Sequence, residues 1–240
     1  MNTMRFMSRA VCLILVVSLS TAAQWEKKPP AEWTMKEVDK VLNDSPWGKT
    51  MTFSTASELF RQSQNQGRGE EARSVTLPQA VHLNFRVRFL SAKPVRLAVK
   101  RMMELKLKDK MSPEMADMLK KFVSGDFVEY ILVTVVAESA QSGLNVQEAN
   151  SLLQRMGTAN LKNNTFLESN AGQRLFLQEY QTPRDDGLGA RFLFARTVNG
   201  KPFITPESGD VRFYSELSPE YRLDRRFKAK DMMYEGKLEY

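Results

Sequence analysis

From Val81 to Phe89 apolar and polar residues alternate without a break: Val81, Leu83, Phe85, Val87 and Phe89 against His82, Asn84, Arg86 and Arg88. Successive side chains of an extended chain point to opposite faces, so this run reads as a half-buried β-strand with one oily face and one polar, largely cationic face. Helical spacing would scatter the same residues around a circumference. Any fold for this chain must therefore supply a sheet with an apolar layer against one side of that strand.

The other elements follow from local signals. Thr34-Met35-Lys36-Glu37 has the form of a capping box, with Trp33 placed to staple onto Val38. Met35, Val38, Val41 and Leu42 then share a helical face, while Lys36, Glu37, Asp39 and Lys40 stay in water. The helix should stop near Asn43, because Pro46 excludes helix at Ser45. Lys49 to Ser54 alternates as a strand with Met51 and Phe53 on one face. Pro94 introduces a helix over Val95 to Lys108 with an inner stripe of Val95, Ala98, Val99, Met102 and Leu105. Ser112-Pro113-Glu114 caps another helix that ends before Gly125, and Asn145-Val146-Gln147-Glu148 opens a third with Leu152, Leu153 and Met156 inward. Phe127 to Ala137 is nearly continuous in β-branched and aromatic residues, as in a central strand covered on both faces. Beyond Leu161, turn signals such as Asp185-Asp186-Gly187 and Asn199-Gly200 separate short strands at Leu175 to Tyr180, Ala190 to Ala195, Val211 to Ser215 and Arg226 to Tyr234. These read as an antiparallel meander. The expectation is an α+β fold: a large antiparallel β-sheet with several helices, from the N-terminal two thirds, packed on one face or end. One domain over 33–240 is expected, with a sub-boundary near 157–160, a helical turn at Glu58 to Arg61 and a disordered loop over 62–74.

The first residues point to export. Arg5 and Arg9 precede an apolar run, Ala10 to Leu19, too short to span a bilayer, and Ser20-Thr21-Ala22-Ala23 offers small residues for cleavage. A signal peptide over 1–23, a flexible lead over 24–32 and a periplasmic or secreted destination are the expectation. Cys12, the only cysteine, would leave with that peptide, so the remaining 217 residues would hold no thiolate nucleophile, thiolate ligand or disulfide. The net charge would fall from +7 to +5. Arg86 to Lys110 alone carries a net +7, so the rest of the mature chain sums to −2.

The run Trp33-Thr34-x-x-Glu37-Val38-x-x-Val41-Leu42-Asn43-x-Ser45-Pro46-Trp47, with the closing Gly236-Lys237-Leu238-Glu239-Tyr240, resembles a family of exported bacterial proteins that is uncharacterised. The similarity extends in texture through Leu177 to Phe194. It implies export and a shared fold, and brings no catalytic residues with it. Some such proteins are grouped with a Gly-Trp-x-Thr-Asp domain family, but here Glu32 precedes the tryptophan and Thr34 follows it directly, so that assignment is not carried over.

The chemistry open to this composition is narrow. His82 is the single histidine and reads as a strand-rim residue rather than a catalytic base. No site residues are expected for catalysis, a cofactor or a metal: paired histidines and cysteines are missing, and Gly67-Arg68-Gly69 follows no strand. Asp185-Asp186-Gly187 reads as a turn rather than a calcium loop. Trp33 and Trp47 read as core anchors and Trp25 as the exception. The feature that carries a functional expectation is the basic segment, with Arg86, Arg88, Lys93, Arg96, Lys100 and Arg101 as an anion- or partner-binding patch. The expected role is an exported, non-enzymatic binding or assembly module of the cell envelope. Its expected partners are an anionic envelope component or an acidic protein, with peripheral membrane contact and without nucleic acid. The alternatives are a carboxylate-dependent hydrolase of envelope polymers and a carrier of an apolar ligand.

Overall fold

The computed structural model describes residues 28–54, 82–139 and 144–240. The expected signal peptide, Cys12, Trp25, the turn at Glu58 to Arg61 and the loop over 62–74 lie outside the described residues. In chain order the elements are α1 (Met35–Asn43), β1 (Gly48–Ser54), β2 (His82–Phe89), α2 (Lys93–Leu107), α3 (Pro113–Ser124), β3 (Tyr130–Glu138) and α4 (Leu144–Arg155). Then come α5 (Thr158–Leu161), β4 (Thr165–Glu168), β5 (Arg174–Phe176), β6 (Glu179–Gln181), β7 (Ala190–Ala195), β8 (Thr197–Val198) and β9 (Lys201–Pro202). The chain closes with β10 (Asp210–Glu216), β11 (Arg222–Lys228), β12 (Met233–Tyr234) and β13 (Lys237–Leu238).

The α+β expectation holds. A five-stranded antiparallel sheet in the order β1-β2-β3-β7-β6 lies against a four-stranded one in the order β11-β10-β4-β5. Between them sits the apolar layer that the alternation of β2 demanded. Phe89 meets Phe227 with ring centroids 4.8 Å apart, Phe85 meets Tyr221 at 5.5 Å, and Phe192 meets Phe213 at 5.5 Å. The buried residues form one contiguous core that includes Ala149 and Leu153 before 157–160 and Leu161 and Leu167 after it. Helix α1 covers the opposite face of the five-stranded sheet at β1 and β2 and packs on α2, while α4 contacts β3 and its Leu153 carbonyl accepts from Tyr180 Oη on the aromatic side.

Each end of α1 is closed by side chains. The Thr34 amide donates to Glu37 Oε2 at 2.9 Å and Thr34 Oγ1 accepts from the Glu37 amide at 3.3 Å, so the capping box forms. The Lys28 ammonium and the Thr34 donors pull the Glu37 carboxyl down to about 2. At the far end Ser45 Oγ donates to the Val41 carbonyl at 2.6 Å and accepts from the amides of Trp47 and Gly48, each at 3.1 Å. The turn that follows brings β1 so close beneath α1 that a Cβ on Gly48 would stand 2.1 Å from the Leu42 carbonyl oxygen.

Four stretches depart from the sequence reading, among them Arg226 to Tyr234, which is β11 up to Lys228, a 3₁₀ turn over Ala229–Asp231 and then β12 in a separate two-stranded sheet. The meander is divided between sheets: Leu177 donates its amide to Thr165 in the second sheet at 3.0 Å, and Gln178 donates to Leu193 in the first at 2.9 Å. The chain changes sheets between adjacent residues, so Leu175 to Tyr180 becomes β5 and β6. The central strand starts at Tyr130 because Phe127 lies under the Arg96 guanidinium, 4.9 Å from ring centroid to carbon. The end of the flexible lead is tied down: Lys28 Nζ contacts Glu37 at 2.6 Å, Trp33 Nε1 donates to the Lys28 carbonyl at 3.2 Å, and Pro30–Glu32 makes a 3₁₀ turn.

The close approach of α1 to β1 has a direct test. Gly48→Ala should destabilise the protein by about 2 kcal/mol in urea unfolding, since neither backbone can retreat. Gly125→Ala, whose Cβ would stand an ordinary 3.4 Å from its nearest neighbour, should cost no more than about 0.5 kcal/mol. Equal stabilities for the two variants would contradict the packing described.

Candidate anion-binding groove

Antiparallel pairing sets directly opposed residues on the same face of a sheet. The register therefore lays Gly48, Arg88, Thr134, Arg191 and Gln181 in one row across all five strands. This row lies on the helix-covered face, away from the aromatic layer. Arg86 stands on the same face, between Thr50 and Val136. The cationic side of the β2 alternation is thus covered by α1 at Arg88, which is 5% exposed, and Arg191 in the same row is 8% exposed.

Covering a guanidinium requires acceptors for it. Arg88 Nε donates to the Leu42 carbonyl at 3.2 Å and to Asn43 Oδ1 at 3.2 Å, and Nη2 donates to Asn43 Oδ1 at 2.9 Å. The charge is thereby set against the C-terminal carbonyl end of α1, where a cation is favoured. Burial pulls the Arg88 pKa down to about 10, with Glu138 and Asp39 acting in the opposite direction, so it stays charged at neutral pH. Asn43 in turn donates to Asp39 at 2.6 Å. Arg86 donates to Asp39 at 3.2 Å and to Glu138 at 2.9 Å, and its buried Nε has no partner among the described residues.

Beside the contact of α1 with α2, an open groove of about 520 Å³ is lined by both helices and this face of the sheet. Its lining includes Arg86, Arg88, Asn43, Asp39 and Glu138, with Met35 and Lys36 from α1 and Met102, Met103 and Lys106 from α2. Asp186 and Gly187 close one side, where Asp186 pairs with Arg191 and accepts from the Leu188 amide at 3.0 Å as a turn residue. Arg86 is thus shared by two carboxylates and Asp186 is taken by Arg191. Arg88, Lys36 and Lys106 form no ion pair among the described residues, and with four cations against three carboxylates the lining keeps a cationic surplus of one charge. Guanidinium and ammonium groups are donors suited to an oxyanion, here with Arg88 buried and Lys36 and Lys106 exposed at the rim. Among the described residues the lining contains no serine, cysteine or histidine. His82 is exposed at the start of β2, outside it.

The six basic residues singled out in the sequence do not form one free patch. Only Arg86 and Arg88 meet in the groove. Lys93 sits beside Glu235, 2.6 Å away. Arg96 is 6% exposed and donates to the carbonyls of Phe122 at 3.3 Å, Val123 at 2.7 Å and Gly125, closing the end of α3 as Arg88 closes α1. Lys100 pairs with Glu104, while Arg101 donates to the Trp33 carbonyl at 2.9 Å. Local periodicity placed these residues on elements but could not say which of them a neighbouring carbonyl would claim. Lys36, Met103 and Lys106 carry no local signal for the same reason, since α1 and α2 meet only in the folded chain.

The two tryptophans of the motif are both 1% exposed, as core anchors. Trp47 Nε1 donates to the Glu239 carbonyl at 2.8 Å, and Glu239 Oε2 accepts from the Lys93 amide at 2.9 Å. The Trp33 to Trp47 run and the Gly236 to Tyr240 segment therefore meet in space at the start of α2.

Removing the guanidinium should expose the role assigned to it. Arg88→Met should cost about 3 kcal/mol, because the Leu42 carbonyl and Asn43 Oδ1 lose their donor while buried. The double variant with Asn43→Leu should cost less than the two single changes together by about 1 kcal/mol or more. Strict additivity in denaturant titrations would show that the two residues act independently. No family model, curated protein or solved structure matches this chain, so its functional reading rests on the geometry of this groove.

Proposed function

We propose that the protein is an exported, non-enzymatic binding module of the cell envelope that takes an anionic partner in the groove between α1, α2 and the arginine face of the five-stranded sheet. The observation that carries this reading is the cationic surplus of Arg88, Lys36 and Lys106 within one recess. Arg88 lies buried at the floor, where water and salt screen its charge little, and Lys36 and Lys106 are exposed at the rim, free to reach an oxyanion. The anion-binding role belongs to the recess rather than to the six-residue patch, since Lys93, Arg96, Lys100 and Arg101 are engaged by carboxylates or backbone carbonyls.

A hydrolase would need a carboxylic acid with a proton to give and a second carboxylate free to act. Asp39 and Glu138 do come together in the groove, but one arginine bridges them. That arrangement favours anion recognition over acid–base chemistry.

Inorganic phosphate, titrated at low ionic strength and followed by NMR, should shift the Arg86 and Arg88 guanidinium signals and the amides around Lys36 and Lys106. The shifts should fade as salt is raised. Lys36→Glu together with Lys106→Glu alters two cations without ion-pair partners, so it should abolish the response and leave the thermal melt unchanged. Phosphate shifts that persist in that variant, or that fall elsewhere on the molecule, would overturn the assignment.

A further inference from the structure

The recess is larger than a bare oxyanion needs. At about 520 Å³ it falls in the range of roughly 300–1,000 Å³ typical of sites that enclose a whole small molecule. Its walls are also not those of a purely polar site. Met35, Met102 and Met103 line the same space as Arg86, Lys36 and Lys106. Met35 remains 42% exposed on that wall, an apolar side chain without a full apolar neighbourhood. Unbranched thioethers adapt to irregular apolar partners, and methionine-lined surfaces accept chains of varied shape.

Resting on the anion-binding reading above, we infer that the groove's occupant is a single-chain amphiphile: an anionic head held by Lys36 and Lys106 at the rim beside Arg86, with an alkyl chain along the methionines. The mixed signs of the floor argue for a single head over a long polyanion. Asp39 and Glu138 stand beside the cations, so a polymer of many charges would meet repulsion within the same recess, whereas one head need meet only the surplus. The alkyl chain supplies the affinity that a lone exposed oxyanion would lack, since each methylene withdrawn from water contributes about 0.8 kcal/mol.

The test compares decyl phosphate, inorganic phosphate and decyltrimethylammonium by isothermal titration against the full protein, below the micellar concentration of each amphiphile. Decyl phosphate should bind at least about tenfold more tightly than phosphate, the gain from shielding only two methylenes, and decyltrimethylammonium should not bind. Met35→Asn with Met103→Asn should remove the advantage of the chain and leave phosphate binding intact. Lys36→Glu with Lys106→Glu should weaken both phosphates. Equal affinity for phosphate and decyl phosphate would overturn the amphiphile while sparing the anion site. Binding of decyltrimethylammonium as tight as that of decyl phosphate, or binding of neither phosphate, would overturn both.

Discussion

The fold depends on the buried guanidinium of Arg88. A strand that alternates as β2 does must bury one face, and here the second face is buried too at Arg88, under the end of α1. A charge placed there would be untenable without acceptors, and α1 supplies them from its own end: the Leu42 carbonyl and the Asn43 side chain. The helix gains a cation at its negative pole, and the cation gains fixed oxygens. Gly48 is the steric counterpart, since only a residue without a side chain lets the strand pass beneath that carbonyl. The Leu42-Asn43-x-Ser45-Pro46-Trp47 run thus has a physical reason at nearly every position, from the helix stop to the indole that reaches Glu239.

The same device recurs. Arg96 closes α3 through three carbonyls, and Arg196 donates to the Tyr240 carbonyl at 2.7 Å while its guanidinium lies 3.9 Å from that ring's centroid. Arginine is suited to this task because its planar fork meets several acceptors at once and keeps its charge when covered. A chain with no disulfide among its described residues uses guanidinium-to-backbone contacts to join segments far apart in sequence. Most of the basic segment is therefore structural, and its high charge in the sequence overstates the cationic surface left for a partner.

What was legible in the sequence follows from the range of the forces involved. The capping box of α1, the proline starts of α2 and α3, the alternation of β1 and β2 and the apolar run of β3 are set by neighbours within a few residues, and all are present. The division of the late strands between two sheets was not legible, because Leu177 and Gln178 look locally like one strand and choose different partners only through distant backbone groups. The site was legible in part. Arg86 and Arg88 were visible as a cationic row, but the cover over them, and the company of Lys36 and Lys106, depend on how two helices dock. Methionines assigned to an inner stripe by their spacing turn out to line a recess, since spacing gives a residue's side of a helix and not what lies opposite.

The most direct test of the groove is to see an occupant in it. Crystals of the protein grown with 10-bromodecyl phosphate would locate the two ends of the ligand separately, the bromine by its anomalous signal and the phosphate by its density. The account predicts phosphate within hydrogen-bonding distance of Lys36, Lys106 or Arg86, with the bromine among Met35, Met102 and Met103. A ligand found with its phosphate away from those cations, or bound elsewhere with the groove unchanged, would contradict it.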